Sequence, residues 1–227
     1  MHSFNWERTD NGKAIARIQD MVLHCDALKG LSLTAGHLHL NLLLGLEVVD
    51  AINLGPQPLA SPGSIPDMII RQNTLTVQYA PTTKRPVECQ ARWQLHPEGI
   101  IDLEVSTLTP GKWDGLAVQT RTQFKTQKAD VEVVIDESVK PAMLIYRPMG
   151  LEISYAEFCH PQDGIELYHQ TDSGMTTTRF RLFGHDLEKG VILRGRLRSI
   201  VVPRAFDMLA AHAARDRFMS ETPNLAL

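Results

Sequence analysis

Arginine and glutamine recur at alternate positions in several segments of this chain. Glu88, Gln90, Arg92 and Gln94 alternate with Val87, Cys89, Ala91, Trp93 and Leu95, and Gln119, Arg121 and Gln123 alternate with Val118, Thr120, Thr122 and Phe124. Arg179 and Arg181 alternate with Phe180 and Leu182, and Arg194, Arg196 and Arg198 alternate with Leu193, Gly195 and Leu197. Successive side chains on a strand point to opposite faces, so each segment, read as a strand, has an apolar side for a core and a side bearing guanidinium and amide groups. Those groups make directed, multi-point hydrogen bonds, and Arg suits carboxylate or phosphate oxygens. An exposed antiparallel face must be polar in any case, so the rows fit a solvated face as well as a ligand-binding one. Gly195 adds some weight to binding, because a strand glycine lets another group approach the backbone closely.

Acid–base chemistry would need histidines and carboxylates that converge. The chain has nine histidines. His37 and His39 stand two apart, a spacing that can point two ligands at one metal ion, but no motif marks a third ligand and a metal site is not expected. His160 follows a strand in FCHPQDG, His169 ends the segment Ile165 to His169, and His185 shares a turn with Asp186 and Glu188. A His and a carboxylate brought together from different loops would serve as general acid and base. No GxSxG, phosphate-binding Gly-rich loop or HExxH occurs, and the surroundings of Cys25, Cys89 and Cys159 match no nucleophile motif. Hydrolase, kinase and dinucleotide chemistry therefore lack support.

The elements that must position these residues read mostly as short strands. Period-two alternation is punctuated by Gly, Pro, Asn and Asp along most of the chain. Turns are expected at Gln72-Asn73, at Pro97-Glu98-Gly99 and at Pro110-Gly111, and the proline-rich stretch from Asn53 to Pro66 reads as a surface loop. Lys13 to His24 fits both a helical stripe and a strand. Thr176 to Phe183 and Val191 to Val202 read as a C-terminal hairpin. Ala205 to Met219 places Phe206, Leu209, Ala210, Ala213 and Phe218 near helical spacing, which predicts a closing amphipathic helix between Pro203 and Pro223. About ten strands and one helix in 227 residues predict a single all-β domain over residues 1–227, an antiparallel β-sandwich with a C-terminal helix.

Composition narrows the partners. A net charge of −3 argues against a nucleic-acid binder, which would carry a basic domain. The three cysteines are odd in number and far apart, so free buried thiols in a reducing compartment are expected. Met1 to Asp10 is polar and Leu38 to Leu46 is interrupted by His39, Asn41 and Gly45, so neither a signal peptide nor a membrane span is expected and the reading is cytoplasmic.

Two stretches, DMIIRQNTLTVQYAPTTKRPVECQARWQL and FRLFGHDLEKGVILRGRLRSIVV, carry a resemblance to the galactose mutarotase-like superfamily of β-supersandwich proteins. The N-terminal one of the two resembles the hairpin of a sandwich sheet, with Arg71 before it and Trp93 at its far end. The C-terminal one is similar to the paired long strands near the end of such domains. The resemblance implies a supersandwich fold, a sugar or acidic saccharide ligand and no cofactor. If the chain is an aldose 1-epimerase-like isomerase, a Glu acts as base and a His as acid; by position these are Glu188 and either His169 or His185. The ligand-binding residues expected are Arg71, Arg92, Trp93, Arg121, Arg179, Arg181, Arg194 and Arg196, with Trp93 or Trp113 stacking on a sugar face. Two other roles fit the residues: a non-catalytic interaction module, with oligomerisation through the C-terminal helix, and a barrel carrying a small apolar ligand.

Overall fold

The computed structural model describes residues 5–9, 13–18, 21–35, 38–50, 54–59, 66–82, 87–112, 116–125, 131–164, 166–183 and 188–221. The chain begins with β1 (Trp6–Arg8), β2 (Lys13–Ile18), β3 (Met21–Asp26), β4 (Gly30–Ala35), β5 (Leu38–Asp50) and β6 (Leu54–Pro58). There follow β7 (Asp67–Arg71), β8 (Thr74–Tyr79), β9 (Glu88–Leu95), β10 (Ile100–Leu108), β11 (Leu116–Lys125) and β12 (Val131–Asp136). The series ends with β13 (Met143–Pro148), β14 (Ile153–Cys159), β15 (Glu166–Asp172), β16 (Met175–Arg181), β17 (Ile192–Pro203), a 3₁₀ turn (Arg204–Phe206) and α1 (Asp207–Ser220).

These strands make two antiparallel sheets. One runs β1-β2-β3-β4-β5-β11-β16-β15, with β6 also paired to β5; the other runs β12-β13-β14-β17-β10-β9-β8-β7. The main core lies between them, where Leu23, Leu33, Leu43, Leu75, Trp93, Leu103, Tyr146 and Leu197 are all buried. Each such aliphatic or aromatic side chain contributes roughly 1.5–3 kcal/mol by leaving water. The ambiguity of Lys13 to His24 resolves to strands, because Ala14, Ala16, Ile18, Met21, Leu23 and Cys25 all face this core at period two. The turns at Gln72-Asn73 and before Gly99 join β7 to β8 and β9 to β10, with Gln72 at φ 52° and Gly99 at φ 76°.

The stretch expected as a loop from Asn53 to Pro66 contains a strand, β6, paired with β5, and three further expectations are corrected. The strand count exceeds ten because the N-terminal quarter is divided into β1 to β6. Thr176 to Val202 is not a hairpin: β16 pairs with β11 and β15, whereas β17 pairs with β10 and β14 in the other sheet. The two strands meet across the core instead, where a Cβ on Gly195 would lie 3.0 Å from that of Leu182. The group that Gly195 lets approach is thus a core leucine.

The third correction concerns α1. Ala211, Ala214 and Phe218 pack on Ile145, Ala156, Phe158, Ile200 and Val202, on the outer side of the second sheet. Phe206 and Leu209, expected on the buried stripe, are 65% and 72% exposed. The helix is oriented by its ends. Buried Asp207 accepts two hydrogen bonds from Arg147, at 2.8 and 3.1 Å, and one from Ser154 at 2.8 Å. Its carboxylate, held below the usual range mainly by Arg147, also suits the positive N-terminus of the helix. At the other end the Arg198 guanidinium lies over the Phe218 ring, 4.6 Å from its centroid.

Candidate ligand site

The sandwich divides the arginine rows between its two outer faces. On the first sheet, Thr120, Thr122, Phe124, Thr176, Thr178 and Phe180 point inward and are buried, so Gln119, Arg121, Gln123, Thr177, Arg179 and Arg181 share the outer face. On the second sheet Arg92, Arg194 and Arg196 lie on the opposite outer face, where Arg92 and Arg196 line a cleft beside α1. The arginines do not form one surface.

The first face is organised around Glu47, which sits in register with Gln119 and is only 4% exposed. Its carboxylate accepts a hydrogen bond from Gln119 Nε2 at 3.0 Å and one from Arg179 Nε at 3.2 Å, and pairs with Arg121 Nη1 at 2.6 Å. Burying a carboxylate is tolerated because Gln119 and Arg121 on the adjacent β11 and Arg179 on the next strand, β16, converge on it. Arg181 lies 3.9 Å from Glu166, whose carboxylate also accepts a hydrogen bond from the Tyr168 hydroxyl. The Nε–H groups of Arg121 and Arg181 are buried and find no acceptor in the protein. The outer face thus carries Arg121, Arg179 and Arg181 with Glu47 and Glu166, and Asp172 lies further along β15.

A cavity of about 470 Å³ opens on this face, lined by Val49, Gln119, Tyr168, His169, Gln170, Arg179 and Arg181. Tyr168 is 42% exposed and lies beside Arg179 in the register, an aromatic with both a face and a hydroxyl to offer. His169 borders the cavity but pairs with Thr178, so strand alternation points it away from Tyr168 and Gln170. Desolvation holds its imidazole below the usual histidine range, so it is neutral near pH 7.

The second face is saturated with ion pairs. Arg92 pairs with Glu104 at 2.9 Å, Arg196 with Asp163 at 2.7 Å and His96 with Asp102 at 2.8 Å. Arg198, 2% exposed, donates to both oxygens of Asp102 and to both of Glu221. Despite the cost of burial, the hydrogen bonds from Arg198 and His96 hold Asp102 below the usual carboxylate range. This network fastens the end of α1 to the sheet.

The remaining expected residues scatter. Trp93 is 1% exposed in the core and cannot stack on a sugar; its place on the apolar side of β9 decided this. Arg71 is exposed at the end of the edge strand β7. Glu188 is exposed in a turn, where its carbonyl accepts the amide of Val191, and it lines neither the cavity on the first face nor the cleft beside α1. His160 is buried, its ring edge-on to Phe218 with centroids 5.5 Å apart. His37, Trp113 and His185, and the side chain of His39, lie outside the described residues. Glu47, which organises the first face, is a residue that the sequence did not single out. Its signal was faint: one carboxylate in the apolar run LLLGLEVV.

No family model and no curated protein matches the sequence. Solved structures do match. A protein from Escherichia coli assigned as an aldose 1-epimerase superposes with a TM-score of 0.60 and 6% identity, over 85% of this chain and 100% of that one. Another so assigned, from Klebsiella pneumoniae, gives a TM-score of 0.58 at 8% identity, over 95% of this chain and 87% of that one. The fold is the galactose mutarotase-like supersandwich. A heparan sulfate lyase mutant from Pedobacter heparinus has a TM-score of 0.57 and 9% identity, over 88% of this chain and 37% of that one.

Proposed function

We infer that the outer face built on β5, β11, β16 and β15 binds a saccharide, and that an acidic sugar is preferred. The observation that carries this reading is the buried Glu47 clamped by Arg121, Arg179 and Gln119 at the edge of the cavity. The clamp holds two guanidinium groups rigid. Arg181 then supplies positive charge for a ligand carboxylate or sulfate, Gln119 and Gln170 supply amides for hydroxyls, and Tyr168 supplies a face for a pyranose ring. Solved structures of the same fold that are assigned to sugar epimerisation and heparan sulfate cleavage support a carbohydrate ligand.

The reading is of a binding face, with epimerase-like catalysis as the alternative. Glu188 stands outside the cavity and His169 only borders it, so the expected acid–base pair is not assembled among the described residues. Polarimetry separates the two: a binding protein leaves anomer equilibration of common aldoses at its spontaneous rate, whereas acceleration abolished by His169→Ala favours the isomerase. Binding is tested by NMR titration with D-glucuronate. Resonances of Tyr168, Gln170 and Gln119 are expected to shift, and Arg181→Ala to weaken binding about tenfold or more, the usual worth of a hydrogen bond to a charged group. Shifts confined to the face beside α1 would refute the assignment.

A further inference from the structure

Directly beneath this face lies another buried carboxyl that the ligand does not reach. Glu157 on β14 is 1% exposed between the sheets. Its Oε1 accepts the hydroxyl of Thr122 on β11 at 2.5 Å and the hydroxyl of Tyr155 on β14 at 2.6 Å, so it joins one sheet to the other. The Thr122 hydroxyl in turn accepts the amide of Leu44 on β5 at 3.1 Å. Leu44 has φ 48°, a backbone conformation costly for a leucine. It lies where the β11–β5 pairing slips between Arg121 and Gln123. The hydrogen-bonded chain from Glu157 therefore ends at the irregularity that sets Arg121 and Glu47 against each other.

Among the described residues, no cation pairs with Glu157. From its own strand, Tyr155 and Cys159 share its face; from β13 comes Tyr146, hydrogen-bonded to Thr178; from β17 its register partner is Ser199; from β11 and β16 come Thr122, Phe124, Thr176 and Thr178. The neighbouring Arg198 and Arg121 serve Asp102, Glu221 and Glu47 on the outer faces. A buried carboxyl among neutral groups favours its uncharged form. Burial pushes Glu157 up to about 7, whereas the phenols of Tyr146 and Tyr155 and the thiol of Cys159 are pushed far above that range.

We propose that Glu157 is a proton-holding clasp between the sheets, which fixes the Leu44 irregularity and through it Arg121, so that ligand binding on the outer face weakens as the clasp ionises. Glu157 is a positioning residue in this scheme, and the regulation rests on the reading of that face as the ligand site. Losing the proton leaves a charge that burial disfavours more than the donated hydroxyls of Thr122 and Tyr155 favour it, so relief comes from admitting water through the interface that holds Thr122 to Leu44.

Two measurements on the full chain test this and separate it from the ligand reading. Hydrogen-exchange protection of the Leu44 amide, corrected for intrinsic rates, is expected to fall as pH rises through about 7 and to stay level in Glu157→Gln. Protection in the wild type that does not change with pH overturns the clasp, without recourse to the variant. A Glu157→Gln protein that retains the wild-type pH dependence overturns it too. Apparent affinity for D-glucuronate is expected to fall by about tenfold per pH unit above the midpoint in the wild type and to be flat in Glu157→Gln, since only the competent fraction binds. If glucuronate binds neither protein at any pH while Leu44 protection still titrates, the ligand reading fails and the clasp stands.

Discussion

Glu47 and Glu157 are both buried carboxyls, and their neighbours give them opposite tasks. Glu47 is paired with two arginines and a glutamine; Glu157, among the described residues, accepts the Thr122 hydroxyl and the Tyr155 phenol. Glu47→Gln should therefore strand two guanidinium groups around a neutral amide. A loss of about 3 kcal/mol is expected in urea unfolding, as for other broken buried pairs. Neither glutamate was legible as special in the sequence. Each is one acidic letter in a strand, and what distinguishes them is the residue opposite in the register, which depends on strand order. Arg121 and Arg179 were legible as outward-facing from alternation alone, and Trp93 as inward-facing, although the sugar-stacking role expected of it disregarded that. The aromatic on the cavity is Tyr168.

At the level of elements, alternation identified most strands, because each has one buried face and one wet face. It could not say which strands pair. The loop between β16 and β17 resembled a hairpin connection, yet it crosses from one sheet to the other. The clue was Gly195: a strand glycine opposite a leucine marks two backbones meeting across a core. Gly195→Val should overpack this contact against Leu182, with a loss of roughly 1–3 kcal/mol in thermal or denaturant unfolding. Helix α1 was legible in existence and poorly in orientation, since its buried stripe is carried by small alanines and by the anchors at its ends. Phe218→Ala should cost about 3–5 kcal/mol, as for other buried aromatics, whereas Leu209→Ala should change stability by no more than about 0.5 kcal/mol.

For the whole molecule, the supersandwich stacks two sheets so that one outer face is closed by α1 and its ion pairs while the other carries the cavity. The protonated clasp between them gives the stability a distinct pH dependence. Below pH 4.5, the ordinary value for the carboxyl, Glu157 is protonated folded or unfolded and contributes its full share. Between 4.5 and about 7 the unfolded chain releases the proton and the folded chain keeps it, so stability falls as pH rises. Above about 7 the contribution is gone and the curve is level in this group. The total is on the order of 3 kcal/mol, read as the difference between wild type and Glu157→Gln across that window. Asp102 and Asp207 act in the opposite sense, since their lowered values give stability that is lost as pH falls. The difference between the two proteins removes their effect.

The central claim is that the Glu47–Arg121–Arg179 face, with Arg181 beside it, recognises an acidic sugar. Calorimetric titration of wild type and Arg181→Ala with D-glucuronate and with D-glucose tests it most directly. The expected result is tighter binding of glucuronate than of glucose by the wild type, with that preference removed in Arg181→Ala. Equal affinity for the two sugars in the wild type, or a glucuronate preference untouched by Arg181→Ala, would contradict it.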